Sequence, residues 1–112
     1  LSEMGIGYTL VSRHLTAKNE KAIAYENVDQ EVIKKHTIIV NCTPLGMHPY
    51  ESELPKIPYE YLTESHLLFD CIYNPAKTLF LQEGEKHGCR IKNGLEMLHI
   101  QADKAWDIWK RD

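Results

Sequence analysis

Residue types able to do chemistry gather in a few short stretches: Ser12-Arg13, Asn41 to Met47, Asp70 to Pro75, and Asn93 to Gln101. In "VNCTPLGMHP", residues 40 to 49, the β-branched run Ile38-Ile39-Val40 stops abruptly in a polar, sharply turning loop. Ligand-binding α/β sheets do this, because ligands sit beyond the carboxyl ends of their strands. Asn, Pro and Gly are also ordinary turn residues. This stretch alone leaves a binding loop and a plain turn both open.

The other stretches carry the same pair of readings. Ser12-Arg13 falls where the second strand of a dinucleotide-binding sheet would end, at the adenosine ribose. An acidic residue there accepts the ribose 2′-OH, whereas an Arg suits a 2′-phosphate by its charge and planar fork. The plain reading is a solvated surface Arg. Asp70-Cys71-Ile72-Tyr73-Asn74-Pro75 ends another apolar run, and a Tyr hydroxyl there can reach a polar ligand. The plain reading is a half-buried Tyr bonded to water. Asn93-Gly94 opens a long helix, and Gly94 allows close approach of a ligand to the backbone. Gln101 follows nearly two turns later, about 10.5 Å along the same face. The plain reading is a helix cap and a surface Gln.

Positioning these residues needs strands that alternate with helices. Strands are expected at Tyr8 to Ser12, Ala22 to Tyr25, Thr37 to Val40, Leu67 to Cys71 and Arg90 to Lys92. Thr37 to Val40 and Leu67 to Cys71 are apolar nearly throughout, as buried parallel strands tend to be. Asn27 or Asp29 can cap a helix reaching His36. Thr78 can cap another through about Lys86, closed by Gly88. From Gly94 to about Lys110, Leu95, Leu98, Ala102, Ala105, Trp106 and Trp109 fall on one helical stripe. Residues 44 to 58 hold four of the five prolines and read as a loop. The pattern implies an α/β domain with a mostly parallel sheet.

Composition bounds the function. The 112 residues suffice for one domain with a modest core. A formal net charge of -3 with no Lys/Arg stripe argues against a nucleic-acid partner. The longest apolar runs are too short to span a bilayer. Three cysteines without CxxC or HxxxH spacing imply neither a disulfide framework nor a metal site. The expected setting is reducing and cytoplasmic. No GxSxG, P-loop or GxGxxG occurs. In a dinucleotide-binding sheet the Gly-rich turn follows the first strand. Here that strand and turn would precede Leu1, so the sheet is expected to be incomplete on its N-terminal side. Strands 8–12 and 37–40 would then flank a gap. Upstream residues, a second copy of the chain in a homodimer, or collapse of the two strands onto each other could fill it.

Together, "NCTPLGM" (41 to 47), "DCIYNPAKTLFL" (70 to 81), "HG" (87 to 88) and "NGLEMLHIQADKAWDIW" (93 to 109) resemble the shikimate dehydrogenase family in order and spacing. "VSR" at 11 to 13 matches more weakly but in the right place. The resemblance covers essentially the whole chain. It implies a Rossmann-like cofactor domain over residues 1–112. The implied activity is that of an NADP-dependent oxidoreductase of aromatic amino-acid biosynthesis, interconverting 3-dehydroshikimate and shikimate by hydride transfer. Family members carry an N-terminal substrate domain, with the active site in the cleft between the two.

Carried over by the resemblance, Ser12 and Arg13 match the loop that grips the 2′-phosphate. Asn41 and Thr43 match the strand-end loop beside the cofactor. Cys71 and Gly94 match backbone contacts to the nicotinamide. Tyr73 and Gln101 match residues that reach the substrate. The family often reads Asn-Arg-Thr where this chain has Ser12-Arg13-His14. Its catalytic Lys and partner Asp belong to the N-terminal domain, and no residue here matches them, so no catalytic residue is assigned. Two other readings stay open: a quinate-type dehydrogenase of different substrate, and a non-catalytic nucleotide-binding module.

Overall fold

The computed structural model describes residues 7–12 and 22–110. Two short parallel strands, β1 (Leu10–Val11) and β2 (Ala22–Ile23), pair with each other. A second parallel sheet runs β3 (Ile38–Asn41), β4 (Leu67–Asp70), β5 (Arg90–Lys92), in that order. Helices α1 (Gln30–Lys35), α2 (Leu79–Lys86) and α3 (Leu95–Lys110) complete the regular elements. The fold is α/β with parallel strands, as the alternation of patterns implies.

Local chemistry sets most boundaries. The Asp29 carboxylate accepts from the Val32 N–H at 3.1 Å and starts α1. The Thr78 hydroxyl accepts from the Leu81 N–H and starts α2. Each satisfies one of the donors a helix start leaves unpaired. Gly88, at φ 79°, turns the chain out of α2 toward β5.

The core lies between α2 and the sheet: Val28, Ile33, Leu62, Leu68, Phe80, Leu81 and Cys89 form one buried cluster. Tyr59 sets its ring edge-on to Phe80, with centroids 6.3 Å apart. Burying a side chain such as Phe80 or Leu68 contributes about 1.5–3 kcal/mol. Gly84 lets α2 sit close on β4, since an added Cβ would stand 2.7 Å from Leu68 Cδ2. His66 pins α1 to the sheet: Nε2 lies 2.8 Å from the Ile33 carbonyl, and Nδ1 accepts from the Thr63 N–H.

Strands β1 and β3 are not partners among the described residues. Placed in a doubly wound order of 3-2-1-4-5-6, β2 and β1 take positions three and two, and β3 to β5 take four to six. On that side β1 and β3 lie in separate sheets among the described residues. A side-chain contact, Thr9 Oγ1 to His36 Nε2 at 2.9 Å, bridges that side.

One expectation about burial needs correction, and a second apolar surface is exposed as well. The β3 run was expected to be covered on both faces, yet Ile38 is 62% exposed and Val40 48%. No described helix covers that face, and only Ile39 turns inward to the core. The stripe on α3 is likewise uncovered, with Leu95, Leu98 and Trp106 all exposed. Beyond its first turn, α3 has no extensive packing against any described element. The period made a helix, and Leu95, Leu98 and Trp106 on its apolar side stay substantially exposed. No described helix is long and apolar enough to cross a membrane.

Candidate functional site

The carboxyl ends of β3 and β4 stop side by side, Asn41 level with Asp70. The chain then turns into two loops, 42–47 and 71–78. Between them lies an open groove of about 660 Å³, lined among others by Cys42, Thr43, Met47, Cys71 and Tyr73. That size is ordinary for a small-molecule site.

A buried polar network holds both loops. Asn41, 2% exposed, uses every polar position of its amide. Its Oδ1 accepts from the Thr43 N–H at 3.1 Å and the Thr43 hydroxyl at 2.6 Å. Its Nδ2 donates to the Leu45 carbonyl and to Asp70 Oδ1, both at 3.2 Å. The Asp70 carboxyl, fully buried, also accepts from the Ile72 N–H at 3.0 Å and the Thr78 hydroxyl at 2.6 Å. Thr43 Oγ1 accepts in turn from the Leu45 N–H. Gly46, at φ 106°, closes the first loop where an added Cβ would meet Thr78 at 3.1 Å. A fully satisfied network of this kind fixes one arrangement of its members.

The start of α3 is tied to the same place. The Gly94 N–H donates to the Ile72 carbonyl at 3.1 Å. Asn93 Oδ1 accepts from the Leu95 N–H, and Asn93 Nδ2 donates to the Ala76 carbonyl. Gly94 is buried, and the backbone pressed against it is that of Cys71. The Cβ position of Gly94 is thus occupied by the backbone of Cys71.

Cys42 and Cys71 continue the Asn41–Asp70 register, and their sulfurs lie 3.9 Å apart. Burial, with the Cys42 and Asp70 groups beside it, pushes the Cys71 thiol up to about 11. Tyr73 is 46% exposed on the groove wall. At the rim, His48 Nδ1 meets Glu51 Oε1 at 2.7 Å, an exposed pair of little energetic weight.

The structure thus brings Thr43, Cys71 and Tyr73 together at one groove, with Asn41 beneath it and Gly94 behind Cys71. Asn41 serves through its shape-holding bonds, since its amide has no polar position left over. Gln101 sits on the exposed part of α3, outside the groove's lining. Ser12 ends β1 in the other sheet, its N–H bonded to the Ile23 carbonyl at 3.0 Å. Arg13 lies outside the described residues. Sequence reasoning missed Asp70 as the hub and saw Thr78 only as a helix cap. The available signal was an acidic residue closing an apolar strand, where burial demands several donors. Among the described residues no group of three or more His, Cys, Asp or Glu could hold a metal.

Known proteins resemble this chain in sequence and fold. No family model matches the chain. A shikimate dehydrogenase (NADP(+)) of Methanococcus maripaludis strain C7 is 40% identical over 92 residues, which is 82% of this chain and 32% of that protein. Shikimate 5-dehydrogenase from Listeria monocytogenes, solved with shikimate and NAD, superposes with a TM-score of 0.74 at 31% identity, over 81% of this chain and 32% of that one. A shikimate dehydrogenase solved with NADP+ superposes with a TM-score of 0.71 at 34% identity, over 82% of this chain and 31% of that one. The chain spans about a third of the length of the curated relatives it matches.

Proposed function

The chain belongs to the shikimate dehydrogenase family over the third of its relatives' length that it spans, and from that premise we propose that it forms the cofactor side of an NADP-dependent oxidoreductase interconverting 3-dehydroshikimate and shikimate. The observation that carries the reading is the convergence of two parallel strand ends and the first turn of α3 on Cys71. Ligands of open parallel sheets bind at that edge. The groove's size, the Thr43 hydroxyl on its wall and its mainly apolar lining (Met47, Ile72, Pro75) fit a nicotinamide ring with polar substituents.

NADP(H), when bound, supplies or accepts the hydride. The chain's residues bind and orient. Ser12 and Arg13 take the adenosine 2′-phosphate, an anion that a guanidinium fork holds bidentately. The loop of Asn41 and Thr43 shapes the wall beside the ring. The backbones of Cys71 and Gly94, locked against each other, set how deep the ring can go. Tyr73 and Gln101 face the substrate, with a hydroxyl and an amide suited to a polyhydroxylated ring. This reading leaves the proton donor for the carbonyl to a substrate domain, which the family resemblance implies.

Amide chemical shifts of the chain titrated with NADP+ test this reading. Saturable changes are expected at Thr43, at 71–73 and at Gly94. Changes confined to other surfaces, or none, would overturn it. The chain alone should form no NADPH from shikimate and NADP+. General acid–base help is worth about 10²–10⁴-fold, and orientation by the second domain adds to it.

A further inference from the structure

The cofactor reading gives the side chains of Cys42 and Cys71 no task, yet they sit together at the mouth of the groove. Their sulfurs are 3.9 Å apart, on neighbouring strand ends held in register by the Cys71 N–H to Asn41 carbonyl bond of 3.1 Å. Level residues of neighbouring strands project to the same face, and adjacent strands lie ~4.8 Å apart. That spacing is inside the Cα range a disulfide bridges, ~4.4–6.8 Å. Side-chain rotation alone has to bring the sulfurs to the ~2.05 Å of a bond. We propose that Cys42 and Cys71 form a reversible dithiol–disulfide pair, a modification site for low-molecular-weight disulfides at the edge of the groove.

The order of events follows from exposure. Cys42 is exposed and Cys71 half-buried. The Cys42 thiol loses its proton to solvent and its thiolate attacks one sulfur of the small disulfide RSSR. The S–S bond breaks, RS⁻ leaves and is protonated, and Cys42 carries a mixed disulfide. Cys71 then gives up its proton and attacks the Cys42 sulfur, expelling the second RS⁻. In sum, two protein thiols and RSSR give one protein disulfide and two RSH, with two electrons passing from the protein to the small disulfide. A bond at an exposed strand end is of the labile kind that thiols reduce. The third thiol provides an internal control. Cys89 is buried, and its Sγ donates to the Thr63 carbonyl at 3.2 Å.

The test uses the folded chain and oxidised glutathione, followed by alkylation in denaturant and peptide mapping without reductant. The expected product is a single cross-linked pair of peptides joining Cys42 to Cys71, with Cys89 alkylated. Cys71→Ser should stop with glutathione on Cys42. Cys42→Ser should react roughly tenfold more slowly or less, as expected for a raised thiol. Phenylarsine oxide, which needs two adjacent thiols, should protect Cys42 and Cys71 from alkylation in the untreated chain, so the result does not depend on either variant folding. The proposal fails if the unmodified sequence stops at the mixed disulfide, if Cys89 enters the cross-link, or if the bond joins two chains. Its consequence for the groove rests on the cofactor reading and is read separately, as NADP+ affinity before and after oxidation. If the reduced chain binds no NADP+, the cofactor reading fails while the peptide map still decides the disulfide.

Discussion

Gly94 and the Cys71 carbonyl occupy one space with no room for a methyl group between them. A Cβ built on Gly94 would lie 2.1 Å from Cys71 O and 2.7 Å from its carbonyl carbon. Both obstructing atoms are backbone, so no rotamer change can clear them. The start of α3 is thereby fixed against the end of β4, beside the Cys71 that lines the groove. Gly94→Ala should therefore destabilise the chain by about 3 kcal/mol, the upper end of overpacking costs. Gly7, with nothing within 4 Å of its Cβ position, is the control. Gly7→Ala should stay within ~0.5 kcal/mol. Urea unfolding of the two variants decides, and equal midpoints would show that the α3 start yields freely.

The Asp70 hub makes a second stability prediction. Thr78→Val removes the 2.6 Å bond to Asp70 Oδ2 and the cap of α2 together. Loss of a cap costs about 1 kcal/mol, and leaving a buried carboxyl short of a donor adds about 1–3 kcal/mol. Asp29→Ala removes only an exposed cap, worth about 1 kcal/mol. Thr78→Val should thus be clearly the worse of the two in thermal unfolding. Equal losses would mean that the Asp70 network relaxes without Thr78.

A pH prediction concerns Cys71. Its thiol is raised from 9.0 to about 11, first by burial and then by Cys42. Between those values the folded chain holds a proton that the unfolded chain has released. The stability from this group is complete below 9 and is lost as pH rises toward 11. Alkylation of Cys71 should follow the same window, with a midpoint near 11. In Cys42→Ser the midpoint should fall but stay above 9, because burial remains. A Cys71 midpoint at 9 in the original sequence would remove the basis of this prediction.

Which parts of this molecule were legible in the sequence depends on how local their causes are. Thr78, Asp29 and Gly88 act within a few residues of themselves, and their helix boundaries were readable. The strands at 38–41, 67–70 and 90–92 announced themselves as apolar or alternating runs. The Asn41–Asp70 and Thr78–Asp70 bonds join residues 29 and 8 positions apart, and only strand register brings the first pair together. Gly94 was readable as a site of close approach, but not that Cys71 is what approaches. Burial was the least legible property. Ile38, Val40 and the described residues of the α3 stripe have the right residue types for a core, yet Ile38, Val40, Leu95, Leu98 and Trp106 are exposed.

In the proposed reading, cofactor choice turns on Arg13, which the resemblance places at the 2′-phosphate. In the proposed two-domain enzyme, Arg13→Ala should weaken NADP+ binding more than NAD+ binding. A charge-assisted pair is worth on the order of 1.5–3 kcal/mol, or roughly 10- to 150-fold in affinity. Calorimetric titration with both cofactors measures the ratio. Equal losses would make Arg13 a surface or structural charge.

Tyr73 and Gln101 should divide from the cofactor residues in kinetics. Tyr73 stands exposed at the groove, and Gln101 stands on the exposed side of α3. Neither takes part in the buried network that shapes the loops. In the proposed two-domain enzyme, Tyr73→Phe and Gln101→Ala should leave the fold intact, since neither side chain is packed in the core. Each removes a partner from a substrate hydroxyl or carboxylate, at about 1–3 kcal/mol once the cleft has closed over it. The loss should appear in kcat/KM for shikimate, roughly 5- to 150-fold, with the KM for NADP+ little changed. Gln101 is the sharper case, because it lies outside the groove's lining and, in the proposed reading, acts across the cleft. A raised NADP+ KM with unaltered shikimate kinetics would move both residues to the cofactor side.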